Sequence, residues 1–248
     1  MYNLLRELLS DKKGGTIFTC FGIWHILFVV GFLALSVVIY MIIKNKDKQI
    51  RKKVIDTIMN LAFGLYIADF FLMPFAYGEI DVEKLPFHVC TAMCVMCFFS
   101  RHNKALHKFK LQFACLGFVS NLVYLIYPAG VMWHQVHPLS YRVIQTLVFH
   151  GVMVVYGVLV LCFESEDFRF KKLYRDAIVI SSMTVWAIIG NALYNSQNRV
   201  YNWFFVVQDP FNIFRKDIVW LVMPFLNIAV FLAAEVIVYL LFMRKRKA

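Results

Sequence analysis

The chain has 248 residues, 61% of them hydrophobic and only 17% charged, with a mean hydropathy of +0.66 and a formal net charge of +11. Soluble domains run nearer half apolar and a quarter charged, so these figures exclude an ordinary water-soluble fold and point to a polytopic membrane protein. The positive charge does not signal a nucleic-acid partner, because no soluble segment carries a basic groove with interleaved aromatics.

The first ten residues set Leu4, Leu5, Leu8 and Leu9 against Arg6 and Glu7, a pattern that suits a short interfacial helix ended by Gly14-Gly15. The first long apolar run exceeds a cleavable signal peptide and has no small-residue cleavage site behind it. Crossing roughly 30 Å of hydrocarbon takes about 17 to 25 apolar residues. The runs at 17–43, 54–76, 86–100, 109–127, 141–163, 174–194 and 218–243 predict an all-α, seven-transmembrane-helix bundle forming a single domain over residues 1–248. The third run, at roughly 15 residues, covers only about 22 Å, so it is expected to tilt or to stop inside the protein. No repeat, low-complexity tract or linker interrupts the series.

Lysine and arginine favour cytoplasmic loops. Lys44, Lys46, Lys48, Arg51, Lys52 and Lys53 follow the first run. Arg101, Lys104, Lys108 and Lys110 follow the third, Arg169, Lys171, Lys172 and Arg175 the fifth, and Arg244, Lys245, Arg246 and Lys247 the seventh. The predicted orientation therefore has the amino terminus outside and the carboxyl terminus in the cytoplasm, in the cell membrane. The net charge follows from this topology, with attraction to anionic lipid as a secondary effect.

Polar groups inside hydrocarbon are costly, so those that persist pair internally or do work. Asp69, His88, Cys90, Asn121, His150 and Asn191 are all predicted in the outer half of the bilayer, whereas the inner half offers mainly Glu235. This distribution suggests a cavity opening outward. The plainer alternative is a set of unrelated interhelical hydrogen bonds.

Within Leu85-Pro86-Phe87-His88-Val89-Cys90, an acidic loop turns into an apolar helix carrying an imidazole and a thiol. A thiol attacks as thiolate, which a helix amino terminus or a nearby imidazole favours. Pro86 suits a first turn, so Cys90 is expected at that turn's end, where the helix dipole adds little. Activation then falls to a base. His150, buried in the fifth helix, is the first candidate and His88 the second. Asp69, Asn121 or Asn191 could orient the ring or hold an oxyanion.

Cys90, Cys94 and Cys97 match the spacing of radical-SAM cluster ligands, but a membrane helix offers no soluble barrel for that cofactor, and Cys94 and Cys97 read as packing thiols. Metal-dependent seven-helix hydrolases such as ceramidases need histidines in the last helices, which hold none here. His134 and His137 beside Trp133 could join His88 on zinc, yet solvated loop histidines are the commoner case. No metal or other cofactor is expected. The aromatic stretch Tyr201 to Phe211 reads either as an interfacial belt or as a lid.

Leu85-Pro86-x-His88-x-Cys90, His150-Gly151 and Asn202-Trp203-Phe204-Phe205 followed by Pro210 together resemble the YwaF family of bacterial integral membrane proteins, which is related to the eukaryotic transmembrane protein 164 group. The resemblance implies a compact seven-helix fold and, through the eukaryotic relatives, a cysteine-dependent acyltransferase moving fatty acyl chains between phospholipids. It makes Cys90 the acyl-accepting nucleophile and His150 its partner, with Asn202 among the substrate contacts. Related hydrolases use threonine and histidine in comparable places, and Thr91 adjoins Cys90. Trp203 stands where tyrosine is usual.

Three functions fit these residues. The first is a phospholipid acyltransferase or acyl hydrolase working through a thioester. The second is a transport or lipid-binding protein that uses the same cavity as a ligand site. The third is a scaffold with no site. Membrane phospholipid or lysophospholipid is the expected partner in the first two.

Overall fold

In the computed structural model, the described residues are 9–11, 15–77, 82–132, 134–164, 170–196, 200–208, 213–215 and 218–244, with 75–77 and 243–244 described by backbone alone. The expected interfacial helix of the first ten residues lies almost wholly outside these, as do Trp133, Arg169, Pro210 and Lys245 to Lys247. The described elements are helical, with no strand among them. The principal helices are α1 Ile23–Ile43, α2 Lys48–Tyr77, α3 Val89–His102, α4 Lys110–Ile126, α5 Tyr141–Phe163, α6 Leu173–Tyr194 and α7 Val219–Arg244. Six of them, all but α3, belong to segments long and apolar enough to cross a membrane. The 14 residues of α3 reach about 21 Å at helical rise, short of a full crossing. The chain is thus a polytopic membrane protein built on helices.

Two compact units divide the chain: Met1–Val82 with Ser120–Phe163, and Glu83–Val119 with Glu164–Ala248. In the first, α1 and α2 both pack on α5, which is buried along most of its length. Gly151 makes the α1 approach possible, because a β-carbon there would overlap the ring of Phe32. At the other end of α1, Tyr40 stacks on Phe163 and the Arg51 guanidinium lies 5.2 Å from the same ring. The Asp47 carboxylate accepts the Ile50 N–H at 2.8 Å, a cap that starts α2 at Lys48. Lys48, Arg51, Lys52 and Lys53 therefore lie on its opening turns rather than in a loop. Ile23, Leu27, Val30, Val37 and Ile42 stay exposed on α1, as lipid-facing side chains do.

α1 begins at Ile23 because residues 17–22 are tied elsewhere. Phe18 donates its N–H to the Val136 carbonyl at 2.9 Å, and Phe21 takes a left-handed turn, φ 60°. His25, 1% exposed, fixes this entry. Its Nδ1 accepts the Phe21 N–H at 2.9 Å and its Nε2–H donates to the Leu125 carbonyl at 2.8 Å. Both ring nitrogens are used, as donor and acceptor of one neutral tautomer. Exchange of His25 for leucine leaves a buried carbonyl and a turn N–H without their partner, and should cost about 2–4 kcal/mol, read as a lowered unfolding midpoint in detergent.

In the second unit, α6 packs on α7 and on the single turn Trp203–Phe205. α7 leaves Trp220, Leu221, Phe225, Val230, Ile237 and Leu241 exposed, again an outward apolar face.

Candidate functional site

The turn leading into α3 is set by residues about a hundred positions further along the chain. The Phe87 N–H donates to the Leu85 carbonyl at 2.8 Å, which tightens the chain at Pro86. The indole Nε1–H of Trp186 on α6 donates to the Pro86 carbonyl at 2.7 Å. The Phe87 ring, buried, is stacked with Trp186 and with Trp203, each centroid 4.9 Å away. It sits over Gly190, where any β-carbon would overlap it. His88 then stays extended, ψ 139°, as the residue before the helix, and no side chain caps the helix start.

α3 consequently begins at Val89 rather than near Pro86, since Pro86 and Phe87 are committed to docking on α6. This later start puts Cys90 in the opening turn, where backbone N–H groups lack intrahelical partners and the helix dipole is strongest. Cys90 is 8% exposed. The Thr91 hydroxyl is already engaged, donating to the His88 carbonyl at 3.1 Å and approaching the Leu85 carbonyl at 3.5 Å. Cys94 and Cys97 are fully buried within α3.

The aromatic stretch after α6 is part of the same construction. Asn191 brackets Trp203, accepting its N–H at 3.0 Å and donating to its carbonyl at 3.1 Å. Asn195, one turn on, brackets Tyr201 in the same way at 2.6 and 3.1 Å. The Asn202 amide oxygen accepts from Val207 and Gln208, both at 3.0 Å, and its nitrogen donates to the Gln208 carbonyl at 2.9 Å. Asn227 on α7 donates to the Phe204 carbonyl at 2.6 Å. Phe204 and Phe205 both have left-handed backbone, φ 56° and 53°, a conformation that costs a non-glycine residue about 1–2 kcal/mol, and these amides hold it. Tyr201, Trp203 and Phe204 are buried while Phe205 is 49% exposed. Tyr201, Trp203, Phe204 and Val206 are therefore core rather than belt or lid, while Asp209 to Phe211 lie outside the described residues. His88, exposed, meets the Trp203 ring edge-on at 6.3 Å.

Cys90, His88, Asn191 and Asn202 thus lie in the second unit around one docked turn. Asn191 and Asn202 direct the amide groups described above at backbone. Asp69, Asn121 and His150 lie in the first unit. Asp69, 2% exposed on α2, accepts the Tyr141 hydroxyl at 3.2 Å. Asn121 is fully buried on α4. His150 on α5 is stacked on Tyr124, centroids 4.0 Å apart and planes 12° from parallel. Its Nδ1 is 2.7 Å from the Thr146 carbonyl. A carbonyl only accepts, so Nδ1 carries the hydrogen and the lone pair of the neutral ring resides on Nε2.

The histidines between α4 and α5 have local contacts. His134 faces Arg142, which also pairs with Asp11 at 3.2 Å, and His137 accepts the Leu139 N–H at 3.1 Å. Among the described residues no three His, Cys, Asp or Glu side chains converge to hold a metal ion.

Phe87, Trp186, Gly190, Asn195 and Asn227 escaped the sequence reading. The available signal was Gly190-Asn191 inside a span, since a helical glycine marks close approach. A family model described as the TMEM164 family matches residues 20–244 of the chain. Among curated proteins and among solved structures nothing matches.

Proposed function

The chain belongs to the TMEM164 family, and on that premise we propose that it is a thiol-dependent phospholipid acyltransferase or acyl hydrolase of the cell membrane. In this reading Cys90 is the nucleophile and His150 the general base; the thiol loses its proton to the base, and its sulfur attacks the carbonyl carbon of a phospholipid acyl ester. The tetrahedral intermediate collapses with loss of the glyceryl oxygen, which takes the proton from His150, and a lysophospholipid departs. The acyl group stays on Cys90 as a thioester. A second lysophospholipid hydroxyl, or water, then attacks that carbonyl while His150 accepts its proton, and the thiol is regenerated.

The observation that carries the reading is the placement of Cys90 in the opening turn of an uncapped helix whose entry is clamped by Trp186, Gly190 and Trp203. First-turn N–H groups suit the oxyanion of such an intermediate. The tautomer of His150, hydrogen on Nδ1 and lone pair on Nε2, suits a proton carrier oriented by its own helix.

The test uses purified protein in vesicles containing a phospholipid with a labelled acyl chain and an unlabelled lysophospholipid. Cys90→Ala and Cys90→Ser should reduce label transfer by at least about a hundredfold, and His150→Gln by about 10²–10⁴-fold. The wild type should carry a hydroxylamine-labile acyl group that Cys90→Ala lacks. Undiminished exchange in Cys90→Ala overturns the assignment.

The transport or lipid-binding alternative draws support from prolines inside two helices, Pro74 in α2 and Pro224 in α7, since interrupted helices recur in transporters. It requires uptake into proteoliposomes that survives Cys90→Ser.

A further inference from the structure

At the end of α3 opposite to Cys90, the second unit holds two adjoining cavities that the acyl-transfer chemistry leaves unused. One, of about 310 Å³, is lined by Arg101, His102, Asn103, Lys104 and His107. The other, of about 220 Å³, shares His107 and adds Lys108, Lys110, Lys172 and Arg175. Basic residues at this end of the helices are what membrane topology alone would produce. Their convergence on concave space is not.

Glu164 is the one carboxylate among the described lining residues, and it is engaged. Arg101 grips it with two N–H groups, at 3.1 and 3.4 Å, and Lys110 reaches it at 3.1 Å. Burial works against its ionisation, but Arg101 and then Lys110 outweigh that and hold the carboxyl below its usual range. Lys108 and Arg175 make contacts with neutral groups. The Lys108 ammonium lies over the Phe109 ring at 5.3 Å. Arg175 donates to the Lys108 carbonyl at 3.2 Å and lies over the Tyr174 ring.

We propose that these adjoining cavities bind the phosphate headgroup of an anionic phospholipid in the leaflet on the basic side of the membrane. The site sits where α4 and α6 begin, the level at which hydrocarbon gives way to headgroups for two membrane-crossing helices. An apolar track leaves it along α6: Tyr174, Ile178 and Val185 are each more than 45% exposed and lie on one helical face. Phe170, 49% exposed, adds an aromatic at the interface, where such rings collect. Cations for the phosphate and an apolar track for the chains favour a lipid over a free anion. The inference does not rest on the acyl-transfer reading.

The experiment follows thermal unfolding of the full chain in neutral detergent while dioctanoyl phosphatidylglycerol, dioctanoyl phosphatidylcholine or inorganic phosphate is titrated in. Phosphatidylglycerol should raise the midpoint saturably and less so in high salt. Phosphatidylcholine and phosphate should not. At about fivefold in affinity per cation removed, the double variant Lys108→Ala/Arg175→Gln should bind phosphatidylglycerol about 25-fold more weakly. Lys104→Ala/His107→Gln, at the far cavity, provides a second variant should the first fail to fold. An equal shift from phosphatidylcholine means an apolar groove only, and an equal shift from phosphate means a free-anion site; either overturns the proposal. So does an undiminished phosphatidylglycerol response in a folded double variant.

Discussion

Gly190→Ala should lower the unfolding midpoint and, in the proposed reaction, reduce acyl transfer by about a hundredfold, although residue 190 is not placed in contact with substrate. The added methyl would overlap the Phe87 ring, and that ring has no room to retreat because Trp186 and Trp203 stack on it. Overpacking of this kind costs about 1–3 kcal/mol. The relief available is for Leu85 to His88 to lift away from α6, which carries the start of α3 and Cys90 with it. A nucleophile displaced by about 1 Å forfeits roughly a hundredfold in rate. Gly31→Ala on α1 is the control: nothing lies within 4 Å of a β-carbon there, so the change should be neutral, or stabilising by about 0.5–1 kcal/mol from helix propensity. Adding Phe87→Leu to Gly190→Ala should return part of the lost stability, the coupling expected of residues in direct contact. Gly190→Ala behaving like Gly31→Ala in both assays would show that Phe87 docking does not position the thiol.

That dependence marks the limit of what the sequence made legible. The spans could be read because apolar run length is a local property, and the membrane class and thiol-bearing turn came with them. The start of α3 could not be placed, because Pro86 favours a first turn locally while its carbonyl is taken by Trp186, a hundred residues on. Asn191 was legible as a polar group inside a span and Asn202 through the family resemblance, but their work is to pin the backbone of Trp203 and Gln208. For Asn191 nothing in its own neighbourhood says so. For the same reason Tyr201 to Phe205 looked like an interfacial aromatic run. Two consecutive left-handed phenylalanines are unexpected from propensity and persist only because amides on α6 and α7 support the turn.

Glu235→Gln should leave the protein as stable as before or more so, whereas Tyr239→Phe, which removes a single oxygen, should cost about 2–3 kcal/mol. Asp176 on α6 and Glu235 on α7 are both fully buried and within hydrogen-bonding reach of one another. Tyr239 donates to Asp176 Oδ1 at 2.6 Å. Asp176 Oδ2, both Glu235 oxygens and the Gln112 amide oxygen have no hydrogen-bond donor. The Gln112 side chain and the Asp176 backbone also lie close to the Asp176 carboxyl, but an ionised carboxylate only accepts, so acceptors outnumber donors in this cluster. A glutamine at 235 keeps the shape, carries no ionisable group and brings N–H donors that can reach Asp176; replacing a buried ionisable group in this way is often neutral or stabilising by about 1–4 kcal/mol. Loss of the Tyr239 hydroxyl deprives a buried carboxyl of its donor, hence the opposite sign. In the Glu235→Gln background the new amide takes over part of that task, so Tyr239→Phe should cost less there than in the wild type. Denaturant unfolding of the four proteins in one detergent gives all three differences. A Glu235→Gln variant destabilised as much as Tyr239→Phe would mean that Glu235 is satisfied as a carboxylate, and that the cluster does not lack donors.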